Sequence, residues 1–162
     1  MAGWRPAGRV PSWVQVPAGE RVLAWAASGD SVLAGTRTTL YAATPGAPLR
    51  AWRWEALRGA DWLPDEDLLR VRTTDEVCDF PLLTPGLLLQ LIRERVTASV
   101  VLQRHLPVRA KRGVRIVARR APHSAEPLTW TVEYDPGLDP DDPAVAAVVA
   151  RAYAAARSDL GE

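Results

Sequence analysis

The chain has 162 residues, of which 48% are hydrophobic and 24% charged, with a net charge of +1. A chain of this size and make-up fits one folded domain and excludes global disorder, and a charge so close to zero excludes a partner chosen by net charge alone. Cys78 is the only cysteine, which excludes an internal disulfide and leaves a small buried hydrophobe as its natural reading.

The first 19 residues hold Pro6, Pro11 and Pro17 and read as an extended N-terminal arm. Trp4 and Trp13 on that arm are candidate anchors for a partner protein, or they fold back over the body. The start of the chain lacks the apolar run of a signal peptide. The most apolar stretch, residues 81–92, is interrupted by Thr84, Pro85, Gly86 and Gln90, well short of the ~20 residues that cross a bilayer. The expectation is a cytoplasmic protein with no transmembrane segment.

Short strands follow from Glu20. Residues 21–26 end at the turn Ser28-Gly29-Asp30, residues 31–35 and 36–43 are rich in Val, Leu, Thr and Tyr, and Thr44-Pro45-Gly46-Ala47-Pro48 is a strong turn. Residues 49–57 bring Trp52 and Trp54 to one face, residues 60–62 are a short piece, and residues 68–73 and 76–82 complete about seven strands. Such a meander suits a barrel or sandwich. Thr84-Pro85 then opens a helix, in which Leu88, Leu91, Ile92, Val96, Ser99, Val100 and Gln103 recur at helical spacing. That periodicity carries the helix to about His105, before Pro107.

Beyond the helix, Val114, Ile116 and Ala118 alternate with Arg115, Val117 and Arg119. Leu128, Trp130, Val132 and Tyr134 do the same against Thr129, Thr131 and Glu133, so the two runs form a hairpin. Asp142-Pro143 caps a last helix over residues 144–158. The fold class is α+β.

The segments Glu20-Arg21-Val22-Leu23-Ala24-Trp25-Ala26, Leu33-Ala34-Gly35-Thr36-Arg37-Thr38-Thr39-Leu40-Tyr41 and Trp52-Arg53-Trp54-Glu55-Ala56-Leu57, in that order before one long helix, resemble the bacterial members of the pleckstrin-homology-like (PH-like) superfamily. The resemblance implies a PH-like barrel or sandwich over residues 20–106 with the helix as its cap, and residues 107–162 as a hairpin-helix extension packed on the same domain. It also implies a binding module, since the superfamily holds phosphoinositide binders, peptide binders and scaffolds. The wording of the chain, with 19 Arg against one Lys and many Ala, Pro and Gly, resembles actinobacterial proteins and suits a GC-rich genome.

Catalytic chemistry finds little support. A hydrolytic triad needs a nucleophile, a base and an orienter brought together. The two histidines are His105, placed at a helix end, and His123, placed in the hairpin loop, and no nucleophile elbow, phosphate loop or dinucleotide fingerprint occurs. Asp135, Asp139, Asp141 and Asp142 are interleaved with prolines at 136, 140 and 143, which a calcium loop would not tolerate. No metal, no cofactor and no enzyme activity is expected.

Charge is distributed unevenly. Residues 93–120 carry nine basic side chains against Glu94 alone, a local net of +8, and residues 121–162 carry eight acids against two arginines, a net of −6. Arg104, Arg109, Lys111, Arg112, Arg115 and Arg119 are candidate anion-binding residues, unless the acidic tail neutralises them. The first expectation is a non-catalytic protein-interaction or scaffold module, marked by an apolar groove or edge strand beside the long helix. The alternative is a module that binds nucleic acid or an anionic membrane surface through residues 93–120.

Overall fold

A computed structural model describes residues 8–162; Trp4 lies outside the described residues. The chain forms two compact units. One runs to Ser99 and includes Ala121–Ala125, and the other comprises Val100–Arg120 and Glu126–Glu162. It is α+β, and the described residues form ten antiparallel strands in three sheets and two α-helices.

In the first unit, β1 (Ala24–Ser28), β2 (Ser31–Gly35), β3 (Thr39–Ala43) and β4 (Arg50–Arg53) form a sheet in chain order. A second sheet, also in chain order, holds β5 (Gly59–Leu63), β6 (Leu68–Arg72) and β7 (Val77–Pro81). The β1–β2 hairpin turns in two residues, with Ser28 opposite Ser31 and Gly29 at φ 58°, a left-handed conformation that glycine adopts without a Cβ clash. The seven expected strands are present, but among the described residues no ladder joins the two sheets and no closed barrel forms. Trp54 leaves the β4 strand pattern for a short 3-10 turn, Trp54–Ala56. There its indole is fully buried and donates to the Thr36 carbonyl at 3.1 Å.

Helix α1 (Gly86–Ser99) buries Leu88, Leu91 and Ile92 in the core formed by Leu33, Leu40, Trp54, Leu69 and Val71. It packs on β1, β2, β5 and the 3-10 turn. A Cβ at Gly35 would lie 2.6 Å from Leu91 Cδ2, so glycine lets the backbone of β2 approach the helix. The outer face of the first sheet is covered as well. Val14 of the arm is buried with Val32, Ala34 and Ala43, and Val10, Val22 and Trp25 pack around them. The Trp25 indole donates to the Gly8 carbonyl at 2.5 Å. Where the arm enters the sheet, the Glu20 carboxylate accepts from the hydroxyls of Thr36, Thr38 and Tyr41.

Helix α1 ends six residues earlier than its periodicity suggests. Residues Val100–Arg109 are a strand, β8, which pairs with β9 (Arg112–Arg119), and β9 pairs in turn with β10 (Thr129–Tyr134). Pro107 therefore stops no helix; it sits in β8, an edge strand, where a missing N–H breaks no ladder if it faces outward. The expected 114–119 and 128–134 hairpin is the β9–β10 pair. Helix α2 (Pro143–Asp159) is N-capped by Asp142, whose side chain accepts from the Ala144 amide at 2.8 Å. It lies on β8 and β9 through a stripe that includes Val145 and Ala156, both fully buried, and Tyr153 meets the Trp130 ring edge-on at 5.2 Å.

Candidate functional site

The candidate basic residues all fall on β8, β9 and the turn between them, and acids of the tail face three of the six. Arg104 of β8 pairs with Asp159 of α2, and Arg109 pairs with Asp142 at 2.5 Å. Arg115 lies 3.6 Å from Glu133 on the neighbouring strand. Arg119 is buried, at 6% exposure. Lys111 and Arg112 are exposed at the β8–β9 turn, and the Arg112 guanidinium lies over Gly137. The six therefore do not converge on one open anion-binding site. His105 sits on β8 rather than at a helix end, 3.4 Å from Asp135. Asp135 also accepts the Gly113 amide at 2.7 Å. That amide first, and His105 second, hold the Asp135 carboxyl below the usual carboxylate range. His123 is exposed in the loop between β9 and β10.

In the first unit, the residues beside α1 make a different surface. The second sheet has two edges, β5 and β7. The β7 side is fastened to β4. Glu76 accepts from Arg50 and from the Trp52 indole, each at 2.8 Å, and Trp52 meets Phe80 edge-on at 6.0 Å. The indole bond, ahead of Arg50, lowers the Glu76 carboxyl pKa. Cys78 is half-buried in the same cluster, with its sulfur 3.2 Å from the Arg50 guanidinium.

Among the described residues, no strand pairs with the β5 edge. Between it and α1 lies a cleft of about 250 Å³, lined by Gly59, Ala60, Asp61 and Trp62 of β5, Leu69 of β6, and Leu89, Ile92, Arg93, Val96 and Thr97 of α1. The strand register explains the apolar wall. Ala60 and Trp62 stand opposite Val71 and Leu69 on the face turned to the core, while Asp61 stands opposite Arg70 on the other. The charged face is self-neutralising: Arg72 holds Asp61 at 3.0 Å and Arg70 holds Asp79 at 2.8 Å, which keeps the Asp79 carboxyl below its ordinary range. Arg93, exposed at the helix side of the cleft, has no ion-pair partner among the described residues.

Two larger hollows lie on the arm side. One, about 370 Å³, lies between Trp13 and the 43–49 turn, and Trp13 is 44% exposed. The other, about 700 Å³, lies between residues 8–16 and residues 21–25. In the second of them the arm itself lies beside the sheet, with Val10, Val14, Val22 and Trp25 in one cluster. Among the described residues, no three His, Cys, Asp or Glu side chains converge to hold a metal, and no helix is long and apolar enough to cross a membrane. Comparisons with family models, curated proteins and solved structures find no match.

The sequence pointed to a groove or edge strand beside the helix without placing it. Period-two alternation in Ala60, Asp61 and Trp62 was the available signal, but it does not say which edge of a sheet stays open.

Proposed function

We propose that this chain is a non-catalytic protein-interaction module of PH-like layout. It adds an extended segment of a partner protein to the edge of β5 and takes an apolar side chain of that segment into the cleft against α1. The observation that carries the reading is the β5 edge, unpaired among the described residues, standing beside the apolar cleft of α1. An unpaired edge presents backbone donors and acceptors that an added strand satisfies, and the adjoining pocket selects alternate side chains. The succession of a four-stranded sheet, a three-stranded sheet and one helix agrees with the PH-like resemblance.

The anionic-ligand alternative has weaker support, because Arg104, Arg109 and Arg115 each face a carboxylate of the tail. Selection of extended peptides from a displayed library on the full chain tests the proposal. Peptides so obtained should lose binding at least about tenfold to Thr97→Trp, which fills the cleft from an exposed position, with folding intact by circular dichroism. Peptides indifferent to Thr97→Trp would overturn it. Salt-sensitive retention on heparin that the triple charge reversal of Arg109, Lys111 and Arg112 abolishes would favour the alternative.

A further inference from the structure

The charges around the cleft define the segment it takes. Asp61, on the strand side, is neutralised by Arg72 at 3.0 Å, and the neighbouring Arg70 is neutralised by Asp79. On the helix side, Glu94 accepts from Gln90 at 2.9 Å, and Arg93 has no carboxylate partner among the described residues. Among the described residues that line the cleft, Arg93 is the charged side chain without an ion-pair partner, and it stands on the wall opposite the strand edge, beside the apolar surface of Leu89, Ile92 and Val96.

Resting on the interaction reading above, we infer that the bound segment carries an internal Asp or Glu two residues from the apolar residue that enters the cleft, where strand alternation puts both side chains on the same face, and that this carboxylate pairs with Arg93. A side chain is needed for this. The backbone of an added strand lies along β5, and only a group that reaches across the cleft meets a guanidinium on α1. A terminal carboxylate belongs to the backbone and would stay on the β5 side. Arg93 acts as a selector: it discriminates among extended apolar segments, and it leaves the backbone pairing with β5 untouched.

The test uses two sets of synthetic eight-residue peptides, each with a central Leu. In one set the positions two residues before and two residues after the Leu are Glu, in the other Gln, and binding to the full chain is followed by amide chemical shifts. The Glu set should bind about three- to fivefold more tightly at low ionic strength, with the difference shrinking in salt, as befits a rim ion pair. Arg93→Glu, an exposed position whose change leaves the core alone, should reverse the preference in favour of a set with Lys at the same two positions. Equal binding of the Glu and Gln sets, with shifts at β5 and α1, would overturn the carboxylate inference and leave the cleft reading standing. Absence of binding by either set, or shifts confined to other strands, would overturn both. A peptide with Leu and a free C-terminal carboxylate but no acidic side chain, if it bound as well as the Glu set, would also contradict the inference.

Discussion

The two units solve the problem of covering a sheet with a helix in different ways. Helix α1 packs large side chains, Leu88, Leu91 and Ile92, against a core that holds Trp54, Leu33 and Leu40, and it leaves an apolar cleft along β5. Helix α2 presents a stripe of small residues such as Val145 and Ala156 and is held at its margins by ion pairs, Arg104 with Asp159 and Arg109 with Asp142. Bulky cores hold through area removed from water, at roughly 25 cal/mol per Å². Exposed ion pairs contribute little each, about 0–1 kcal/mol. The contrast separates an apolar cleft beside β5 from a surface on which Arg104, Arg109 and Arg115 face carboxylates.

The sharpest break of that contrast is Trp54→Ala. It empties a fully buried site and removes the indole bond to Thr36, and should cost the first unit about 3–5 kcal/mol in urea unfolding. In the second unit, Asp142→Ala removes both the α2 cap and the partner of Arg109, and should cost about 0.5–2 kcal/mol. Hydrogen exchange should show that loss in the first turn of α2. A larger effect from Asp142→Ala than from Trp54→Ala would reverse the comparison.

Acid tests both units at single carboxylates. Burial works against the Glu20 carboxylate, but the hydroxyls of Thr38, Tyr41 and Thr36 together hold its pKa below the ordinary value. Asp135 is held down by the Gly113 amide and His105. A carboxyl whose folded pKa is depressed adds stability above its unfolded pKa and loses it as pH falls through the folded value. Stability should therefore decline below the ordinary carboxylate range. Glu20→Gln should flatten that decline for amides of β2 and β3, and Asp135→Asn for amides around Gly113, both read by hydrogen exchange between pH 6 and pH 3. An unchanged slope in either variant would remove that residue from the acid response.

The legible parts of the fold were those written in local spacing. Asp142-Pro143 announces α2, Gly29 announces the first hairpin, and the alternation of Val114, Ile116 and Ala118 announces β9. The helix end was misread because Val96, Ser99 and Val100 satisfy a helical stripe, while Val100, Leu102 and Leu106 also fit strand alternation. Pairing with β9 decides between them. Likewise the +8 stretch looked available because its partners lie far along the chain: Asp159 is 55 residues from Arg104, and Asp142 is 33 from Arg109. The β7 side faces β4 through Glu76 and Trp52, while β5 lines the cleft beside α1, and no local pattern encodes that arrangement.

The most direct measurement is residue-resolved hydrogen exchange of the full chain with and without a display-selected peptide. Strand addition at the cleft should slow exchange of the amides in Gly59–Leu63 that do not bond to β6, with no comparable change in β8 or β9. Protection confined to β8, β9 or the arm, with β5 unaltered, would contradict the assignment of the β5 edge and the α1 cleft as the binding site.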